Sequence, residues 1–433
     1  MIRIFAIILN LVLTSLYFFP FELKAYPGVN SKMMMAVVGL VIFGCRMAQG
    51  RNGQMSRSLF WLSLFAAFVS LCGFASVTLN ETPDYAYATY LVSMWVWIGG
   101  AYAVCNVIKA THGYLDAKLV THYLVGVCLI QCALALMIDN MPALKTWVDA
   151  RIEQGQDFLN QNNVDRLYGI GASLDVAGSR FSAVLVLLAY FIRNAYMEHE
   201  GILRKSFYLF SFIAIGVMGN MIARTTTVGL FVALMYWIVD SNVLTLHLKQ
   251  GYRTLFGGML AALLVAIPVV VVLYQTDPAT RKLLRFAFEG FFSLAEKGSW
   301  EVSSNDKLRT MYVFPETIKT WIIGDGYFSS PQNVDPYYTG PIRGGYYMGT
   351  DVGYLRFIFY FGTVGLMAFI AFICKATQLC VSRFEKYKVV FLLLMAVNFL
   401  VWFKVSTDIF LVFALFLMFP QEEQQTPTVV SQA

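Results

Sequence analysis

The sequence predicts an all-α polytopic membrane protein, and three observations carry that reading. Hydrophobic residues make up 58% of the 433 and charged residues only 13%, against roughly a quarter charged in a soluble protein. Mean hydropathy is +0.62. Apolar runs of about 17–25 residues, long enough to cross a bilayer, recur along the chain. So little polar surface excludes a soluble enzyme, a nucleic-acid-binding domain and a disordered scaffold. Unbroken apolar runs also exclude an outer-membrane barrel, whose strands alternate in and out.

Taken in order, about twelve spans are predicted, at 4–21, 32–47, 58–78, 88–109, 119–137, 178–197, 206–223, 226–241, 254–274, 352–374, 387–403 and 406–420. The first resembles a signal peptide in placing Arg3 before an apolar core. It ends in Phe19, Pro20 and Phe21 rather than small residues, so a retained span is expected. Orientation follows from Lys and Arg, which stay on the cytoplasmic side in short loops. With the N-terminus inside, fifteen lie in cytoplasmic segments: Arg3, Arg46, Arg51, Arg57, Lys109, Lys118, Arg193, Arg204, Lys205, Lys249, Arg253, Lys375, Arg383, Lys386 and Lys388. Only Lys24, Lys32, Arg224 and Lys404 fall in short external loops. Both termini are therefore expected in the cytoplasm.

This divides the chain into spans 1–5 (1–137), a first external loop (138–177), spans 6–9 (178–274), a large external loop (275–351), spans 10–12 (352–420) and a polar tail expected to be disordered (421–433). None of the seven cysteines falls in the external loops, so no disulfide staples them, and no CxxC pair suggests a metal. His112, His122, His199 and His247 all map to the cytoplasmic side, so external chemistry proceeds without histidine.

In the first loop, Leu144, Trp147, Val148, Ile152 and Phe158 recur at helical spacing, predicting a helix on the membrane surface. A glycine-rich stretch with Arg166, Asp175 and Arg180 follows, Arg180 at the mouth of span 6. In the large loop, 281–297 is strongly amphipathic and reads as an interfacial helix. Asn305 is placed to cap a helix carrying Arg309. Pro315 is placed to open a second short helix, and Gly324-Asp325-Gly326 to turn. The remainder is rich in Pro, Gly and Tyr. Two readings of it stay open: a sugar-contacting surface, or a plug packed on itself.

Arginine at the centre of a spanning helix costs roughly 2.5–3.5 kcal/mol, less at the ends, where it snorkels. Arg180, Arg224 and Arg356 stand at external helix ends beside small or polar residues, and Arg224 breaks the short-loop charge bias. Snorkelling to headgroups accounts for any one of them. Taken with Arg309 and Arg343 from the loop, several guanidinium forks near one rim suit a polyanion. They are dispersed rather than laddered along one helix, unlike a voltage sensor.

Three segments carry a resemblance: GNMIARTTTVGL (219–230), NDKLRTMYVFPETIKTWIIGDGYF (305–328) and DVGYLRFIFYFGTVGL (351–366). Together they resemble the O-antigen polymerase and O-antigen ligase family of bacterial envelope polysaccharide assembly. They look like its Arg-Thr segment leading into a span, its helix and Gly-x-Gly turn closing the large loop, and its re-entry into the membrane. Ligases of the family carry a His-Asn pair where this chain has Asp351-Val352, which favours a polymerase. Arg166 with Gly178, and Arg343 with Gly353, approximate the polymerases' paired arginine–glycine pattern.

The resemblance implies an enzyme of the bacterial inner membrane with periplasmic loops. It would polymerise undecaprenyl-pyrophosphate-linked repeat units into O-antigen, capsular or exopolysaccharide, without metal or cofactor. Its partners would be lipid-linked glycans, membrane lipids, a chain-length regulator and a flippase, with no nucleic acid. Arg224, Arg309 and Arg180 would neutralise the leaving pyrophosphate, and Asp351 would take the acceptor proton. Asp351 reads equally as the N-cap of span 10. Arg166, Arg343, Arg356, Tyr346 and Tyr354 complete the expected substrate contacts, although Tyr354 also fits an interfacial aromatic belt. Gly362 and Gly365 suit close helix packing. A ligase, or a transporter or flippase of lipid-linked sugar, are the competing readings.

Overall fold

A computed structural model describes residues 2–49, 57–155, 166–243, 248–249, 251–341, 343 and 345–419. Arg51, Phe158, His247 and the tail from Gln421 lie outside them. Each predicted apolar run is helical over at least part of its length. The first half holds α1 (Ile2–Phe18), α2 (Ser31–Ala48), α3 (Arg57–Asn80), α4 (Tyr90–His112), α5 (Ala117–Asn140) and the short α6 (Pro142–Arg151). Then come α7 (Leu174–Met197), α8 (Ile202–Ile222), α9 (Thr226–Ser241) and α10 (Tyr252–Thr276). The large loop carries α11 (Pro278–Ala287), α12 (Glu289–Lys297), α13 (Ser303–Thr310), α14 (Ile318–Ile322) and α15 (Pro331–Val334). The chain closes with α16 (Gly353–Arg383), α17 (Lys388–Val401) and α18 (Phe410–Leu417). Among the described residues, eight helices are long and apolar enough to cross a membrane. The protein is thus an all-α, multi-pass membrane protein.

Caps set several boundaries. The Asn30 side chain accepts from Met33 N at 3.2 Å and starts α2, and Asp116 accepts from Leu119 N at 2.6 Å and starts α5. Gly113 ends α4 in the left-handed conformation at φ 81°. Some expected boundaries differ. Asn305 lies inside α13, whose cap position is Val302. Thr317, not Pro315, opens α14, its hydroxyl accepting from Thr320 N at 3.1 Å. The amphipathic stretch is two helices broken at Phe288, because burying Leu283, Leu284 and Ala287 of α11 and then Gly290 and Ser293 of α12 needs a change of direction. In the first loop the helix stops at Arg151, and Ile152–Glu153 pairs antiparallel with Glu22–Leu23.

Helix α7 is the central post: every residue from Ala177 to Ile192 is buried. Helices α5, α8, α9 and α17 pack around it, while α16 packs on α3 and α14. At the other extreme, only Tyr252 and Leu255 of α10 are buried, both at one end.

The feature that ties the large loop to the bundle is a break in α16. Phe361 and Gly362 leave helical geometry, Gly362 at φ 69° and ψ −175°, so the carbonyls before the break lose their intrahelical partners. The Gly324–Gly326 turn supplies replacements. Asp325 N donates to Phe359 O at 2.6 Å and Gly326 N to Tyr360 O at 3.1 Å. The end of α3 and the α3–α4 connection grip the same junction: Ser76 Oγ donates to Tyr360 O at 2.6 Å, Asn80 to Gly324 O at 3.1 Å and Thr82 to Gly326 O at 2.9 Å.

Asp84 completes the latch. One of its carboxylate oxygens accepts both Phe328 N and Ser329 N at 2.8 Å, and its carbonyl accepts the Tyr360 hydroxyl at 2.9 Å. Hydrogen bonds to a buried charged acceptor contribute roughly 1.5–3 kcal/mol each. Asp84→Ala should therefore lower stability by about 2–4 kcal/mol, read as a reduced melting temperature of the purified protein. Asp84→Asn, which keeps an acceptor oxygen, should recover part of it.

Candidate functional site

The N-terminal ends of α7, α9 and α16 and the C-terminal end of α17 converge on one short connection, 402–409, which gathers charged and polar side chains from across the bundle. Lys404 pairs with Asp175 at 3.0 Å and donates to Thr225 Oγ1 at 3.3 Å, while the Thr225 hydroxyl donates to Asp175. Ser406 accepts from Arg356 Nη1 at 2.5 Å. Asp408 accepts from Phe410 N at 2.9 Å, starting α18, and lies within electrostatic reach of Lys32 and Arg180.

Two arginines here are more than nine-tenths buried. Arg180 is 6% exposed, one and a half turns inside α7 rather than at its mouth, because α7 begins before Asp175. Its guanidinium lies 5.9 Å from the Phe19 ring centroid, and its buried Nε has no hydrogen-bond partner. Arg356 is also 6% exposed. Its guanidinium is sandwiched between the rings of Phe328, 3.8 Å away, and Tyr346, 3.4 Å away. Nη2 donates to Phe328 O at 2.9 Å, and Nε is again buried without a partner. A buried donor left unpaired costs about 1–3 kcal/mol, more when charged. Two such arginines beside one loop are held at a cost that an incoming oxyanion would offset.

Asp351 is not the cap of α16. That position belongs to Val352, which has no side-chain cap, and Val352 N is held instead by Thr350 Oγ1 at 3.2 Å. The Asp351 carboxylate makes no hydrogen bond or ion pair among the described residues. Burial pushes its pKa above the usual carboxylate range, with the Arg356 guanidinium pulling the other way. A half-buried carboxylate with no partner and raised basicity is suited to accept a proton.

The remaining predicted residues are placed elsewhere. Arg224 is fully engaged: Nε donates to Phe286 O at 2.8 Å, Nη1 to Ser304 Oγ at 3.0 Å, and Nη2 pairs with Glu289 at 2.7 Å. It staples the α8–α9 turn to the large loop. Arg166 shares the Phe286 ring, 4.9 Å from its centroid, with a buried unpartnered Nε. Arg309 projects away with its side chain 83% exposed, its nearest acid Asp306 at 3.7 Å. Arg343 is exposed and donates to Met348 O at 3.3 Å. The Tyr354 hydroxyl is taken by Phe399 O at 3.0 Å, its ring packed on Trp402 and Phe403.

Sequence reasoning missed the 402–409 hub. Its signal was the polar run KVSTD (404–408) between two apolar stretches. Among the described residues no group of three or more His, Cys, Asp or Glu side chains is placed to hold a metal ion. Compared with known proteins, the chain matches no family model, no curated protein and no solved structure.

Proposed function

We propose that this is a twelve-span enzyme of a bacterial inner membrane, with both termini inside, that polymerises lipid-pyrophosphate-linked glycan units on the outer face. The observation that carries the reading is the pair of buried arginines with unpartnered Nε atoms, Arg180 within reach of Asp408 and Arg356 within reach of the unpaired carboxylate of Asp351. An acceptor sugar hydroxyl attacks the anomeric carbon of the donor glycan and its proton passes to Asp351. The bond from that carbon to the pyrophosphate oxygen breaks. The electron pair leaves with undecaprenyl pyrophosphate, whose growing negative charge Arg180 and Arg356 neutralise. Arg224, with every nitrogen committed, serves as a positioning residue, and Arg309 stands apart.

One observation favours transport instead. Discontinuous helices are a hallmark of transporters, where freed carbonyls line an ion or substrate path. Here the carbonyls before the α16 break are bonded by the Gly324–Gly326 turn, which favours a fixed scaffold. Deleting the gene and running the surface glycans on a gel separates the readings. Polymerase loss leaves single repeat units in place of a ladder. Disappearance of all surface glycan with long lipid-linked chains accumulating indicates a ligase, and accumulation of unextended units on the cytoplasmic leaflet indicates a flippase.

A further inference from the structure

Arg356 has a cover. Its two faces are occupied by aromatic rings, Nη1 donates to Ser406 and Nη2 to the Phe328 carbonyl, while Nε is sealed from solvent without a partner. The two rings differ in how firmly they are held. Phe328 packs against Tyr87, Phe357 and Tyr360, and its backbone N–H is bonded to Asp84. Tyr346 is 43% exposed, and among the described residues its one ring contact is with the guanidinium.

Its neighbour Tyr347 is anchored, with its hydroxyl on Asp325 at 3.2 Å and its ring against Tyr327 and Phe359. The backbone around them is unusual. Gly345, Met348 and Gly349 all have positive φ, at 88°, 55° and 67°. Met348 has a Cβ and pays strain for that conformation. The turn therefore sets Tyr347 inward while laying Tyr346 flat over Arg356.

We propose that Arg356 is the floor of a phosphate-binding subsite and that the Tyr346 side chain is its removable cover, swinging into solvent to open the guanidinium to an oxyanion. Ring and anion compete for one cation: the stacking holds the charge in the empty protein, where bare burial would be costly. That the anion is the pyrophosphate of a lipid-linked glycan rests on the function proposed above. The cover itself does not.

The test uses the full-length protein in detergent micelles and an arginine-directed dicarbonyl reagent, with modification of Arg356 followed by mass spectrometry. In the unsubstituted protein Arg356 should react slowly. Tyr346→Ala should speed its modification severalfold, and Tyr346→Phe, which keeps the ring, should not. Inorganic pyrophosphate at millimolar concentration should restore protection in Tyr346→Ala. If Arg356 stays as protected in Tyr346→Ala as before, Tyr346 is not the cover. If it is uncovered but pyrophosphate gives no protection, there is no phosphate subsite. Neither readout depends on glycan synthesis, so failure of the polymerase reading appears separately, in the glycan gel.

Discussion

Arg180→Leu is expected to abolish the glycan ladder and, at the same time, to raise the melting temperature of the purified protein. The two signs have one cause. The guanidinium is buried in a fully packed stretch of α7, lies 5.9 Å from the Phe19 ring centroid and leaves its Nε unpaired. Replacing buried charge that lacks hydrogen-bond partners by an apolar side chain is often neutral or stabilising, by up to about 4 kcal/mol, and Asp408 keeps Lys32 as a nearby cation. The same change removes a donor from the charge developing on the leaving group, worth roughly 10²–10³ in rate. A lower melting temperature together with a lost ladder would make Arg180 structural, and an intact ladder would end its proposed role. Arg309→Ala is the companion variant, and its exposed side chain leads us to expect an unchanged ladder.

Gly362→Ala should be the most damaging single substitution in the scaffold. The residue sits at φ 69° and ψ −175°, a region essentially closed to residues with a Cβ and costing roughly 1–3 kcal/mol. An added Cβ would also lie 2.0 Å from Ile322 O. Helix α14 would have to retreat, and the amides of Asp325 and Gly326 would leave the carbonyls of Phe359 and Tyr360. Each buried backbone group left unpaired adds about 1–3 kcal/mol. The expected result is little or no protein recovered from membranes. Gly257→Ala in α10, where an added Cβ meets nothing within 4 Å, should be recovered normally. Normal recovery of Gly362→Ala would mean that the break in α16 is not needed to dock the loop.

Hydropathy made the apolar helices legible, because burial in lipid constrains composition over a whole span. It did not reveal where helices stop or break. The interruption at Phe361–Gly362 lies inside an apolar run, and only the bonds it makes to a distant turn identify it. Among the arginines, the cost of burial points to Arg180 and Arg356, and both are more than nine-tenths buried. Arg224 was equally conspicuous as an exception to the charge bias, but its reason is Glu289, in another loop. Composition does not say which charges meet. Arg309 entered as one of several loop arginines and through the resemblance, neither of which carries information about where a side chain points.

Helix α10 has a consequence of its own. Its 25 residues would extend roughly 37 Å, several ångströms beyond the hydrocarbon thickness of a typical bilayer. With so little of its surface pressed against protein, its tilt is governed by hydrophobic matching to the lipid rather than by packing. Its C-terminal end runs directly into α11, which carries Phe286, and then into α12, whose Glu289 holds Arg224. Acyl-chain length is thereby an input to the geometry around Arg224, so a thinner or thicker membrane would reposition the arginine staple without any change in sequence.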